Sequence, residues 1–89
     1  MAGQSILISI EVLSRLLDAL CDQGSMGRTK LSFLSRLNYL VCLKYIRLME
    51  DLGWVQVTGD DRDQRVGITP TGRAHREAIS KHLEERPRR

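Results

Sequence analysis

Five cationic side chains, Arg28, Lys30, Arg36, Lys44 and Arg47, fall in residues 28–49 without a single acid among them. Clustered guanidinium and ammonium groups neutralise polyanions, and duplex phosphate is the commonest polyanion a small basic domain meets. The next stretch reverses the sign: residues 50–63 hold Glu50, Asp51, Asp60, Asp61 and Asp63 against Arg62 alone. Arg65, Arg73 and Arg76 then restore positive charge. The net charge is only +3, so segregation along the chain says more than the total. Arg62 and Arg65, alternating with aspartates, read either as solvated turn charges or as a phosphate contact in which carboxylates hold the arginines in place.

No other constellation carries chemistry. His75 and His82 lie two turns apart on one helix side, too far to share a metal without a third ligand, so no metal site is expected. Cys21 and Cys42 occupy apolar helical positions and read as small core residues, with no disulfide framework and no zinc-ligand spacing. A Ser/His/Asp set, a phosphate-cradling glycine loop and a paired-carboxylate pocket are all missing, which points away from catalysis and from a cofactor.

The elements that must position the cations follow from periodicity. From Ile8 to Asp22, Ile10, Leu13, Leu17 and Leu20 recur at helical spacing, widened by Val12 and Leu16, and Gly24 ends the helix. Ser25–Gly27 reads as a loop. A second helix spans Arg28 to Arg36, with Leu31, Phe33 and Leu34 inward and Arg28, Lys30 and Arg36 outward. Leu37-Asn38 is a tight connection in which Asn38 caps a third helix from Tyr39 to about Leu52. Tyr39, Cys42, Ile46 and Met49 define its core face, flanked by Tyr45, Leu48 and Leu52. Leu40, Leu43, Lys44 and Arg47 face outward, with Val41 at the edge. Trp54–Thr58 and Arg65–Thr69 alternate as strands about a polar turn at 59–64. Thr69 caps, and Pro70 opens, a last helix to about Glu85, with Ala74, Ala78, Ile79 and Leu83 inward. The order α-α-α-β-β-α is a mainly α chain with a β-hairpin, and a hairpin directly after a helix-turn-helix makes it a winged helix.

Length and composition fit one such unit. A chain of 89 residues is one small domain, expected to bury about 60–65% of its unfolded surface. We therefore expect residues 1–89 to form a single winged-helix domain, with a core at about 8–85 and a basic tail at 86–89. With 42% apolar and 28% charged residues the composition is that of an ordinary globular protein. Aromatics at 4% are too few for a base-stacking platform. No apolar run approaches the roughly 20 residues of a membrane span, and no secretory leader is visible, so a cytoplasmic, nucleoid-associated location is expected.

Thr29-Lys30-Leu31, Leu37-Asn38-Tyr39 and Met49-Glu50-Asp51-Leu52-Gly53-Trp54-Val55 resemble small archaeal winged-helix transcriptional regulators. Asp61-Arg62-Asp63-Gln64-Arg65, followed by Ile68-Thr69-Pro70-Thr71-Gly72-Arg73, is similar to the wing of MarR-type repressors, shortened here. The resemblance covers roughly residues 10–80. It implies that the helix 39–52 enters the DNA major groove and that Arg62 or Arg65 sits at the wing tip, oriented by Asp61 or Asp63, with Arg73 also serving the wing. The flanking dimerisation helices of MarR-type proteins are absent or reduced to residues 1–20 and 70–86.

These readings converge on a dimeric, duplex-binding transcriptional regulator using the helix 39–52 and the wing 59–65. Lys44 and Arg47 hold the recognition helix on phosphate while Arg28, Lys30 and Arg36 anchor the helix before it. If about six phosphates are neutralised per dimer, log affinity falls with log salt at a slope near −5. Base reading is limited: the first turn offers Leu40, Val41 and Leu43, which can touch thymine methyls but form no paired hydrogen bonds, and Asn38 is a candidate base reader whose side chain is claimed first by the cap. Specificity through DNA shape is the other route. The same three apolar residues support an alternative, a winged-helix protein–protein interaction module whose Leu40/Val41/Leu43 face docks a partner. Ile6, Leu7 and Ile8 exceed what one helix face needs. They either cap the monomer core or, with Ile10, Leu13 and Leu17, pair across a two-fold axis to form a homodimer, for which the closing helix is a further candidate surface.

Overall fold

The computed structural model describes residues 8–60 and 62–84. The elements run α1 (Ile10–Gln23), β1 (Met26–Gly27), α2 (Arg28–Leu34), α3 (Tyr39–Asp51), β2 (Val55–Thr58), β3 (Arg65–Ile68) and α4 (Pro70–Glu84). Four helices and an antiparallel sheet of order β1-β3-β2 make a winged helix-turn-helix. The expected hairpin is present, with Val57 opposite Val66 and Thr58 opposite Arg65. The segment expected to be a loop at Ser25–Gly27 instead supplies a third strand, Met26 pairing with Val66 and Gly27 with Arg65. Two residues carry no alternation to read; the pairing is set by β3.

α1 starts where Ser9 Oγ accepts from the Val12 N–H at 3.2 Å, and it ends at Gly24, which has φ +77°. Its stripe is Leu13, Leu16, Leu17 and Leu20, all buried. Truncating a leucine such as Leu16 to alanine in a core of this kind costs about 2–5 kcal/mol. The core is completed by Met26, Leu31, Cys42, Tyr45, Ile46, Met49, Val55, Val66 and Ile79.

Several inward assignments are corrected. Phe33 is 79% exposed and Leu34 is also exposed, because α2 buries Leu31, Ser32 and Ser35 and turns the opposite side outward. Tyr39 is exposed, whereas Tyr45 is buried and its hydroxyl accepts from the Ser9 N–H at 3.0 Å, tying α3 to the start of α1. Leu52 is exposed. On α4 the inward face is Gly72, Arg76, Ile79 and Leu83, spaced 4, 3 and 4 apart, so Ala74 and Ala78 face solvent. Cys42 is buried as expected, but Cys21 is only half-buried.

The Thr69-Pro70-Thr71-Gly72 element latches α4 onto the end of α3. Thr69 Oγ1 lies 2.6 Å from the Gly53 carbonyl oxygen and 3.0 Å from that of Trp54, and it accepts from the Gly72 N–H at 3.0 Å. A Cβ on Gly72 would stand 2.1 Å from the Trp54 carbonyl oxygen, so only glycine permits this approach. Trp54 also stacks on His75, ring centroids 4.5 Å apart. Arg76 Nε donates to Asp18 Oδ1 at 2.7 Å where α1 packs on α4.

Candidate nucleic-acid interface

The turn between α2 and α3 decides where the cations point. Ser35 and Arg36 close α2 through bonds to Leu31 and Phe33, and the Leu37 N–H reaches the Ser32 carbonyl at 2.9 Å. Arg36 supplies the left-handed residue, φ +58°, at a cost of about 1 kcal/mol that glycine would avoid. Asn38 then caps α3, its Oδ1 accepting from Leu40 at 2.8 Å and Val41 at 3.4 Å.

α3 has one buried side, Cys42, Tyr45, Ile46 and Met49. At 3.6 residues per turn, Leu40, Lys44, Arg47 and Asp51 lie on the opposite side within a stripe about 60° wide. All four are exposed, Leu40 at 66%. Leu43 departs from the expectation: it is half-buried and packs on the core, so the exposed apolar group at this end is Leu40 with Val41 and Tyr39. Phe33 of α2 is exposed too, and only its position off the Leu31/Ser32/Ser35 side could have signalled that.

Between α3 and the wing runs a cleft lined by Arg28, Leu43, Arg47, Glu50, Asp51, Val57 and Gln64. Arg28 from the start of α2 thus shares a groove with Arg47, and Lys44 and Arg47 share the next, with Leu48 and Asp51. Lys30 and Arg36 are exposed. Among the described residues none of these five cations forms an ion pair or a side-chain hydrogen bond, so they are not spent on the chain's own acids. Glu50 and Asp51, read from sequence as part of the acidic block, close the groove at the last turn of α3 and set negative charge beside Arg47.

The wing turn is held by its own backbone and side chains. Asp60 Oδ1 accepts from the N–H groups of Arg62 at 3.1 Å and Asp63 at 3.0 Å. Gly59 has φ +96°, and a Cβ there would meet the Asp63 carbonyl oxygen at 2.2 Å. Arg62 is exposed at the tip; Asp61 lies outside the described residues. Arg65 is held by the residue before β1, its Nη2 donating to the Ser25 carbonyl at 2.8 Å. Arg73 Nη1 lies 3.9 Å from Cys21 Sγ on α1.

Of the residues expected at a dimer interface, Leu13 and Leu17 are buried inside the chain's own core and present no surface to a second copy. Ile10 is half-buried against that core, and Ile8 is 49% exposed beside an apolar hollow lined by Tyr45, Leu48 and the Lys44 stem. Ile6 and Leu7 lie outside the described residues, as does the tail at 86–89.

Burial pushes the Cys42 thiol up to about 11, which keeps it protonated at neutral pH. Asp18 raises the Arg76 guanidinium further above its ordinary value, through their hydrogen bond first and their opposite charge second. Among the described residues no helix is long and apolar enough to cross a membrane, and no group of three His, Cys, Asp or Glu could hold a metal.

No protein-family model and no curated protein matches the chain. Solved structures do. A DNA-binding protein from Sulfolobus solfataricus superposes with a TM-score of 0.77 at 20% identity, covering 88% of this chain and 80% of that one. A Bordetella bronchiseptica protein whose DNA binding is regulated by 6-hydroxynicotinic acid gives 0.76 at 24% identity, covering 89% and 57%. A MarR family transcriptional regulator from Silicibacter pomeroyi gives 0.69 at 27% identity, covering 86% and 55%. The chain thus spans little more than half the length of the last two. The likeness is one of fold: this chain is built as a winged helix-turn-helix of the kind seen in those regulators.

Proposed function

We propose that this chain binds duplex DNA and acts as a transcriptional regulator, with α3 in the major groove and the wing at 59–65 beside it. The observation that carries the reading is the exposed stripe Leu40–Lys44–Arg47 on α3, whose Arg47 shares a groove with Arg28, with none of these cations paired to an acid among the described residues. Lys44 and Arg47 hold α3 on phosphate, while Lys30, Arg36 and Arg28 anchor α2. Arg62 reaches the flanking backbone from the wing tip, and Arg65 braces the wing against β1 from Ser25. Phosphate contacts of this sort fix register and supply salt-dependent affinity without reading sequence.

The similar structures, a DNA-binding protein and regulators of transcription among them, support carrying that role to this chain. A two-fold pairing through the segment at Ile6–Ile8 fits the exposed Ile8, and to use two half-sites such a dimer has to hold its two copies of α3 about one helical turn, or roughly 34 Å, apart. A single domain (1–89) acting at the nucleoid needs neither metal nor cofactor for this.

Fluorescence anisotropy of a labelled duplex tests the proposal with Lys44→Ala/Arg47→Ala beside Leu40→Ser. The charge variant should lose binding at low salt while Leu40→Ser retains most non-specific affinity. The exposed Leu40, Val41 and Phe33 favour the second reading, a protein-docking face. Failure of the unmodified chain to bind any duplex at about 50 mM salt would select that reading instead.

A further inference from the structure

The duplex-facing stripe of α3 begins with carbon, not with a hydrogen-bonding group. Leu40 is the most exposed aliphatic side chain of the described residues and Val41 beside it is exposed as well, although both lie on a helix whose other side supplies the core. The amide at this end cannot substitute for them. Asn38 Oδ1 is occupied by the N–H groups of Leu40 and Val41. Only its N–H donors remain, and an amide reads adenine by offering donor and acceptor together. Lys44, one turn on, is a compact charge without the planar fork that pairs with guanine. Arg47 lies about 10 Å along the axis from Leu40, where it meets the backbone or a different base step.

Leu40 and Val41 therefore have one complementary group in a major groove. Each base pair displays donors and acceptors there, and the thymine C5-methyl is the single apolar feature. We infer that Leu40 and Val41 are the specificity-determining residues of the proposed DNA surface and that they read the thymine 5-methyl group. Sequence preference thus arises by methyl burial and favours thymine-rich duplex. The inference rests on the duplex-binding reading above. Charge commits the occupant: Lys44 and Arg47 follow Leu40 at i+4 and i+7 along the same exposed stripe of α3, and the acids Glu50 and Asp51 appear only at the far turn. An apolar protein partner would leave those cations unmatched.

Burying one methyl against an aliphatic side chain changes affinity about three- to fourfold, so two such methyls in one groove give on the order of tenfold. The test uses four duplexes of about 24 bp, long enough for two half-sites. These are alternating A·T, the same duplex with deoxyuridine in place of thymine, alternating G·C, and the same with 5-methylcytosine in place of cytosine. The second pair moves the methyl onto different bases and so separates methyl recognition from groove shape. The unmodified chain should prefer thymine over deoxyuridine about tenfold and 5-methylcytosine over cytosine in the same direction. Leu40→Ser/Val41→Ser should bind all four alike with an unchanged salt slope. Far-UV circular dichroism checks that the double variant folds; should it not, Leu40→Ala alone should lose part of the preference. Equal affinity of the unmodified chain for thymine and deoxyuridine duplexes overturns the inference, as does a preference that survives in the variants. Absence of binding to all four overturns the duplex reading itself and leaves a protein partner as the occupant.

Discussion

Eight of the cations divide by what they touch. Arg65 donates to the Ser25 carbonyl, Arg73 approaches the Cys21 thiol and Arg76 pairs with Asp18, so each joins two parts of the chain that are distant in sequence. Arg28, Lys30, Arg36, Lys44 and Arg47 have no such partner among the described residues, and three of them line adjoining grooves beside α3. A cation that satisfies its own fold is poorly placed to release counterions from DNA; one left in solvent on a shared face can do so. The same residue types thus serve architecture between α1 and α4 and beside β1, and stay available for the proposed binding on the α2–α3 side.

The sharpest way to break this comparison is to reverse charge on one side and remove it on the other. Lys44→Glu/Arg47→Glu should weaken duplex binding by about 100-fold or more at roughly 0.1 M salt, while Arg73→Ala should change it by less than about twofold. Anisotropy titrations on the same duplex decide it.

The contrast also runs through α3 itself, between the outward stripe and the buried Cys42. Burial raises that thiol from 9.0 to about 11, so the folded chain holds the proton more tightly than the unfolded one. The stabilisation is complete below about pH 9 and is lost as pH rises toward 11, by about 2–3 kcal/mol in all. Urea unfolding at pH 8 and 11 should show this loss in the unmodified chain and not in Cys42→Ala. Equal pH dependence in both would place the thiol in water.

A smaller effect concerns the acids of the groove. Glu50 and Asp51 close its far end, so Glu50→Gln/Asp51→Asn should raise duplex affinity by about 5–10-fold at low salt. On the opposite side, Arg76→Ala should cost only about 0.5 kcal/mol in thermal or urea unfolding, because both partners are more than a third exposed, and should leave DNA binding alone.

What the sequence makes legible is local and periodic. The Asn38 cap, the stops at Gly24 and Gly53, the hairpin and the Thr69-Pro70 start of α4 each depend on residues within a few positions of one another, and each is present. What escapes is set by distant partners or by elements too short to show a period. β1 is two residues long and exists because β3 pairs with it. Arg65 finds Ser25, forty positions away, through that pairing. α2 has seven residues, about two turns, so Phe33 could be assigned to the wrong side. Tyr45 is drawn inward by a bond to Ser9 at the start of a different helix. For the candidate site, the cationic block, the apolar start of α3 and the spacing of Glu50 and Asp51 from Arg47 are visible in sequence, but the arrival of Arg28, Val57 and Gln64 in the same groove is a product of folding.

The salt dependence of duplex affinity tests the central claim most directly, measured for the unmodified chain and for Lys44→Ala/Arg47→Ala. Log affinity against log salt should have a slope near −5 for a dimer neutralising about six phosphates, and the variant's slope should be shallower by about 0.9 for each phosphate left without its cation. A flat dependence, or an identical slope in the variant, would contradict the assignment of this face to phosphate.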